Sequence, residues 1–173
     1  MLKLTAILTC AALACGGHTP CRLPAERPAY TAPSTGIHAQ QPAPEISSVS
    51  AFAQEVVRLV NLERQSAGLA PLTLDETLSA AAQVRAKEID VSFSHTRPNG
   101  SSSFSVLKEM GIAYRACGEN IAKGSPTPQR VVQGWMNSAG HRANILNKNF
   151  TAIGVGIHED AAGVLHWAQL FTA

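Results

Sequence analysis

The sequence predicts an α+β domain in which helices cover a small antiparallel sheet, because helical and strand patterns occupy different parts of the chain. Apolar residues recur at helical spacing in three segments, whereas the clearest strand-like alternation begins only after residue 150. Hydrophobic residues make up 45% of the 173 residues and charged residues 15%, which is typical of a globular domain. The net charge of +2, without a run of basic residues, argues against a nucleic-acid partner.

Spacing and capping residues place the first two helices. The segment AFAQEVVRLVNLERQSAGL is apolar at helical spacing from Phe52 to Val60, and Gly68 stands where a C-terminal cap is expected. In TLDETLSAAAQVRAKEID, Thr73 and Glu76 have the spacing of a capping box, so we expect the second helix to begin there. Leu78, Ala82, Arg85 and Ile89 run along one side of this helix.

A third helical segment is TPQRVVQGWMNSAGHRANIL. Thr127 is suited to the N-cap and Pro128 to the first helical position. Two valines precede Trp135 by one turn, so we expect Trp135 in the core and not in a platform for a ligand. Ser138 is placed to cap the helical stretch that follows it.

The predicted strands lie mainly at the C terminus. AIGVGIHE alternates three aliphatic residues with Gly154, Gly156 and His158, and glycines on one face imply that another element packs close to it. VLHWAQLF follows a turn around Gly163, so the two strands should form an antiparallel hairpin. ACGENIA, residues 116–122, supplies a third strand.

The N-terminal residues predict export. Lys3 precedes an apolar run that ends at Ala14 and is too short to span a bilayer, which is typical of a secretory signal over residues 1–14. Cys15 directly follows small residues, as the lipidated cysteine of a bacterial lipoprotein does, although the same residues fit an ordinary cleavage site. We expect a cell-envelope lipoprotein held at the membrane by lipid on Cys15, with a secreted or periplasmic protein as the alternative.

Residues 15–48 are rich in proline and predict a flexible tether ahead of a folded domain at residues 49–173. At ~3 Å per residue, a fully extended polyproline-like tether of this length reaches on the order of 100 Å. Cys21 lies in the tether and Cys117 in the domain. An exported location permits a disulfide between them; otherwise Cys117 is a small buried thiol.

Six motifs occur in order along the domain: NLERQSAGLAPL, FSHTRPNG, GENIA, GWMNSAGHRANIL, FTAIGVG and HWAQLF. Over residues 52–173 this set resembles the CAP superfamily of cysteine-rich secretory proteins, venom antigens and plant pathogenesis-related proteins. It is most similar to the short bacterial branch of that superfamily. The resemblance implies an α-β-α sandwich with a central cleft, in which two histidines and two acidic residues take divalent metals such as zinc.

By motif, the two histidines of that cleft fall on His95 of FSH and His141 of GHR, and the first acid falls on Glu119 of GEN. The second acid falls on Ser138, so this sequence has a hydroxyl where the eukaryotic relatives have a carboxylate. The resemblance therefore implies His95, His141 and Glu119 as metal ligands. Zinc is the possible ion, and no cofactor is required.

The chemistry of this cleft has three interpretations. Two imidazoles and a carboxylate can hold zinc and leave a position for water. The same groups can instead hydrogen-bond to one another and hold the surrounding loops. A hydrolase could use Glu119, His141 and Ser138, or Cys117 as nucleophile, but no G-x-S-x-G elbow is present.

We expect an extracellular binding module for a lipid or cell-wall ligand, with a hydrolase of the same cleft as the alternative. Arg142 is expected to pair with a carboxylate such as Glu119 or to contact an anionic ligand, and Tyr114 is expected at the cleft rim. The residues predicted to line the ligand cleft are His95, Glu119, Ser138, His141 and Arg142.

Overall fold

The computed structural model describes residues 48–173. The predicted signal, the tether, lipidation at Cys15 and any role of Cys21 lie outside the described residues. The elements in chain order are α1 (Ser48–Ser66), β1 (Thr73–Leu74), α2 (Glu76–Val91), α3 (Ser105–Glu109), β2 (Cys117–Lys123), α4 (Pro128–Asn137), α5 (Ala139–Ile145), β3 (Ala152–Glu159) and β4 (Leu165–Thr172). Within these residues, no helix combines the length and the apolar character needed to cross a membrane.

The four strands form one sheet in the order β1-β3-β4-β2. β3 and β4 are the predicted antiparallel hairpin, joined by a turn in which Gly163 has φ +77°. β2 is the predicted third strand and pairs antiparallel with β4. The sequence did not predict β1, which adds two residues parallel to β3. The sheet is therefore mixed, with a predicted antiparallel core and a short parallel edge.

Helix α2 packs directly on the glycine face of β3. A Cβ atom added to Gly154 would lie 2.3 Å from the carbonyl carbon of Leu78, and one added to Gly156 would lie 2.2 Å from that of Ala82. The Gln83 side chain also donates to the Ile157 carbonyl (2.8 Å) and accepts from its N–H (3.0 Å). The expectation of a close approach at these glycines is confirmed, and α2 is the element that makes it.

The aliphatic face of β3 packs against α1, α4 and α5, so helices cover both sides of the sheet. The α-β-α sandwich implied by the resemblance is confirmed. Trp135 is 1% exposed and its Nε1 donates to the Ile121 carbonyl at 3.3 Å, which confirms it as a core residue. The cluster on this side includes Val56, Val60, Val131, Trp135, Ile153, Val155, Trp167 and Phe171.

At the ends of α1, α2 and α4, the structure agrees with the predicted caps in two cases and differs in one. Thr127 caps α4 through its hydroxyl, with Pro128 in the first turn, and Gly68 has φ +71° after the end of α1. The predicted capping box at the start of α2 is wrong. Thr73 belongs to β1, and Asp75 caps the helix by accepting from the Leu78 N–H at 2.8 Å. Aspartate two residues later competes successfully for the same role.

The NLERQSAGL segment is held by two polar side chains of α1. Asn61 exchanges two hydrogen bonds with the backbone of Leu72, at 2.8 and 3.0 Å. Arg64 is 1% exposed and donates to the carbonyls of Ala70, Ile145 and Asn147 at 2.8–2.9 Å. A single buried guanidinium therefore joins the end of α1 to the end of α5, because it satisfies carbonyls that would otherwise be buried without donors.

Candidate functional site

Glu119 of β2 is the centre of the candidate site. Its side chain is 1% exposed, and its two carboxylate oxygens have different partners. Oε2 accepts from Arg85 Nε at 2.7 Å, and Oε1 lies 2.7 Å from His95 Nδ1. The buried charge of Glu119 is thus compensated by a guanidinium that is itself fully buried, which is the condition for keeping a carboxylate in a protein interior.

His95 lies on the loop after α2, and its backbone is fixed from two directions. Arg85 Nη2 donates to the Ser94 carbonyl at 2.7 Å, and the Ser103 N–H donates to the His95 carbonyl at 3.0 Å. The imidazole is 59% exposed. Because Nδ1 is held by Glu119, Nε2 is the nitrogen through which this ring can meet a ligand.

The Glu119–Arg85 pair continues into what we call the ionic chain: Glu109, Arg97, Glu88, Arg85, Glu119 and His95. Arg85 Nη1 lies 2.6 Å from Glu88, and Arg97 lies 2.7 Å from Glu88 and 2.6 Å from Glu109. Burial alone would raise the pKa of Glu88, but its hydrogen bonds to Arg97 and Arg85 outweigh burial and lower that pKa. The charges alternate in sign from Glu109 to Glu119.

A set of amide side chains joins α5 to β2 on the other side of the cleft. Asn120 Nδ2 donates to the His141 carbonyl at 3.1 Å and to Gln169 Oε1 at 2.9 Å. Asn144 Nδ2 donates to the Glu119 carbonyl at 3.1 Å and to Asn120 Oδ1 at 2.9 Å. These bonds fix the helix that carries His141 beside the strand that carries Glu119.

His141 is the histidine of the candidate site whose charge state its surroundings change. Burial lowers the pKa of His141, and the nearby charge of His95 lowers it further. The His141 ring is therefore neutral at pH 7 and can act as an acceptor or a metal ligand. His95 and Glu119 are in direct contact, and His141 lies near enough to His95 for their charges to interact. Within residues 48–173, however, the donor atoms of His95, Glu119 and His141 do not all lie within 4.8 Å of one another.

Ser138 and Arg142 are placed differently from the predicted roles. Ser138 is the residue between α4 and α5, at the predicted N-cap position, but its side chain makes no capping hydrogen bond. Arg142 does not pair with Glu119, because Arg85 already occupies that carboxylate; Arg142 Nη1 donates instead to the Met136 carbonyl at 3.0 Å. Arg142 is exposed and its guanidinium remains accessible to an anion.

Cys117 and Tyr114 lie near the start of β2. Cys117 is half-buried, and burial raises the pKa of its thiol, so little of the reactive thiolate is present at pH 7. Tyr114 is 41% exposed, and the nearby Cys117 thiol raises the pKa of its phenol. Neither observation favours Cys117 as a nucleophile.

Arg85 is the site residue whose role sequence reasoning missed. The sequence placed it on the same side of α2 as Leu78, Ala82 and Ile89, and it is 0% exposed. That position contained the signal: an arginine in an otherwise apolar helix face needs a buried carboxylate as partner. Glu119 is that carboxylate.

Two surface grooves border α1 and meet at Leu62, which is 46% exposed. One groove, between α1 and α4, has a volume of about 440 Å³ and is lined in part by Leu59, Val132 and Met136. The other has a volume of about 430 Å³ and lies between α1 and the segment around Leu69. Both combine apolar walls with polar rims.

This α-β-α sandwich is the fold of an SCP domain. A model of the CAP family, the cysteine-rich secretory protein family, matches residues 57–171. The chain belongs to this family, and the resemblance noted from its motifs is confirmed.

Three relatives illustrate the range of similarity. YkwD of Bacillus subtilis (strain 168) is 47% identical over 145 residues, which are 83% of this chain and 55% of YkwD. The structure of an extracellular protein containing an SCP domain from Bacillus anthracis is 30% identical, with a TM-score of 0.65, over 70% of this chain and 40% of that protein. An outer surface protein from Borrelia burgdorferi is 21% identical, with a TM-score of 0.63, over 69% of this chain and 90% of that protein. The chain thus spans about half the length of YkwD.

Proposed function

We propose that this chain is an exported binding module whose cleft and grooves take a lipid or cell-wall ligand. The observation that carries the proposal is the state of Glu119: Arg85 and His95 occupy both of its oxygens at 2.7 Å. A carboxylate paired in this way serves as a structural anchor and is poorly suited to act as a general base. The exposed imidazole of His95 is then a recognition group and not part of a proton relay.

Export is supported by the N-terminal residues and by a relative. Residues 1–14 have the pattern of a secretory signal, and Cys15 is the proposed site of lipidation. The similar SCP domain from Bacillus anthracis belongs to an extracellular protein. We propose a cell-envelope lipoprotein, in which the proline-rich tether holds the domain away from the membrane surface.

The grooves on either side of Leu62 suit an acyl chain, and the histidine cleft suits a polar group. A leucine that is 46% exposed between two concave surfaces supplies apolar area that nothing within residues 48–173 covers. Imidazole nitrogens and the exposed guanidinium of Arg142 can bond to hydroxyl or acidic groups. An envelope lipid would use both regions, whereas a cell-wall glycan would use the cleft.

Mass spectrometry of molecules that co-purify with the protein tests this function. Wild type, Leu62→Glu and His95→Gln are compared; both side chains are exposed, so the fold should persist, as circular dichroism can verify. Bound lipid that is lost in Leu62→Glu, or a muropeptide that is lost in His95→Gln, would support the proposal. Cleavage of a peptide library that stops in Glu119→Gln would replace it with a hydrolase. Wild type that retains no more lipid or muropeptide than an unrelated protein would also contradict it.

The same cleft is our proposed site for weak binding of a divalent metal. His95 Nε2 and His141 would supply the ligands. Glu119, which the motif implied as a third ligand, would instead orient the first ring, because Arg85 and His95 Nδ1 occupy its two oxygens. When bound, the ion would offer a Lewis-acid contact to an oxygen of the ligand. Binding should be weak because Ser138 is neutral where a second carboxylate would otherwise contribute.

Calorimetric titration of zinc measures this directly. We expect His141→Ala to lose cleft binding, Ser138→Glu to bind more tightly than wild type, and wild-type affinity to fall below about pH 6 as the imidazoles take up protons. Tight binding that His141→Ala leaves unchanged would place the metal elsewhere. Loss of binding in His141→Ala with no gain in Ser138→Glu would show that position 138 does not face the ion.

A further inference from the structure

A second group of ligating side chains lies at the far end of the α2 face of the sheet, and we call it the hairpin cluster: Asp90, His158, Asp160 and His166. His166 Nε2 lies 3.1 Å from Asp160 Oδ2 and 3.5 Å from Asp90 Oδ1. The other oxygen of Asp90 lies 3.3 Å from His158 Nε2. We propose that this cluster is a divalent transition-metal site, distinct from the His95–His141 cleft.

The two sites are separated by apolar residues. In the register of β2 with β4, Glu119 is opposite Leu170, Ile121 is opposite Ala168, and Lys123 is opposite His166. Ile121 and Ala168, which lie between the two sites, pack with Ala86 and Ile89 of α2 in a separate buried cluster. The hairpin cluster therefore cannot share its ligands with the cleft around Glu119.

The charges of the hairpin cluster call for a cation. Asp90 and Asp160 both approach the same imidazole nitrogen, and within residues 48–173 their ion-pair partners are histidines, with no lysine or arginine within 4.0 Å. Lys123, opposite His166 in the register, is exposed, and Glu159 adds no positive charge. In contrast to Glu119, which has Arg85, these two carboxylates have no guanidinium or ammonium partner within residues 48–173. A divalent ion would balance them.

The spacing of the donor atoms fits a metal. With ligand bonds of about 2.0 Å, two ligands of a tetrahedral zinc ion lie roughly 3.3 Å apart. One donor atom each from Asp90, Asp160 and His166 lies within 4.8 Å of the others, and the two contacts at His166 Nε2 are 3.1 and 3.5 Å. His158 is near enough to supply a fourth donor through a small movement, since it already contacts Asp90 at 3.3 Å.

Two members of the hairpin cluster are held in position before any ion binds. Asp160 Oδ1 accepts from the N–H groups of Ala162 and Val164, both at 2.9 Å, which leaves Oδ2 directed at His166. His166 is 1% exposed and cannot turn to solvent. Among residues 48–173 its Nδ1 has no hydrogen-bond partner, so no outer-shell partner there adds the roughly 10–100-fold in affinity that such a partner gives a histidine ligand. We expect moderate affinity.

Zinc titration of the full chain, followed by calorimetry, tests the site with matched variants. Asp90→Asn removes one ligand charge from an exposed side chain and should weaken binding by about 10-fold or more. Glu159→Gln removes the same charge from the residue between His158 and Asp160. Its side chain points to the opposite face of β3 from His158, so this variant should leave binding unchanged. The double variant His95→Gln/His141→Gln should also retain this binding.

A second measurement uses stability, because the ion would join the end of α2 to the β3–β4 turn. Zinc should raise the unfolding midpoint of wild type and of Glu159→Gln, and this rise should shrink in Asp90→Asn. Zinc binding and stabilisation that are the same in Asp90→Asn as in wild type would overturn the proposal. Complete loss of zinc binding and stabilisation in His95→Gln/His141→Gln would assign all zinc to the cleft and would also overturn the proposal. The absence of zinc binding in wild type would overturn it as well.

Discussion

Gly156 of β3 marks a point where α2 and the sheet meet without room for a side chain, and replacing it with alanine should force them apart. The added Cβ would lie 2.2 Å from the carbonyl carbon of Ala82 and 2.3 Å from Gln83 N. Ordinary contact needs about 3.4–4 Å, so the backbone of α2 must retreat by more than about 1 Å. Because backbone atoms of a packed helix cannot turn aside as a side chain can, we expect a loss of at least ~3 kcal/mol, at the upper end of overpacking costs.

Urea unfolding of wild type, Gly156→Ala and Gly134→Ala measures this loss. Gly134 lies inside α4, with no atom within 4 Å of its added Cβ, so the identical substitution there should stabilise the protein by ~0.5–1 kcal/mol. The two variants should therefore shift the unfolding midpoint in opposite directions. A Gly156→Ala protein within ~0.5 kcal/mol of wild type would refute the close approach of α2 to β3.

Three further predictions concern the core, pH and the domain boundary. Trp135→Ala should lose ~3–5 kcal/mol in urea unfolding, because the indole is 1% exposed; a loss below ~1 kcal/mol would show that the ring is not part of the core. Burial and the charge of His95 lower the pKa of His141, so its imidazole binds protons more readily in the unfolded state than in the folded state. The free energy of unfolding should therefore fall as pH drops below about 6.5, and His141→Gln should reduce this fall. Equal pH slopes in the two proteins would contradict that assignment. A chain starting at Val49 should still unfold in one cooperative transition by circular dichroism, and a broad transition would place the boundary elsewhere.

Patterns of short range predicted much of the fold. The glycine alternation in β3, the turn at Gly163 and the cap at Thr127 are local features, and the structure confirms each of them. The prediction of the start of α2 was wrong because a neighbouring residue took the expected role. Asp75 displaced Thr73 as the cap of α2, and Thr73 joined a two-residue strand whose parallel pairing to β3 depends on residues almost 80 positions away. Pairing at that range leaves no periodic signal in so short a segment.

The candidate site was predictable in its residue types but not in its pairings. His95, Glu119 and His141 were chosen from motifs, and nothing in their spacing could show that Arg85 neutralises Glu119 across 34 positions. The hairpin cluster was missed for a related reason. Its members come from α2, β3, β4 and the turn between the two strands, and none of these segments contains a metal-binding spacing of its own.

The ionic chain gives the His95 loop a stability that is separate from that of the sandwich. The sheet and its helices are held by apolar burial, whereas this loop is tied to α2 through charged pairs, including Arg97 to Glu88 at 2.7 Å. The depressed pKa of Glu88 means that its contribution begins to be lost as pH falls below about 4.5. Amide exchange in acid should therefore show residues 92–104 opening as a unit of their own while β3 and β4 stay protected. The loop that carries His95 and the α-β-α sandwich beneath it are therefore two cooperative units within one domain.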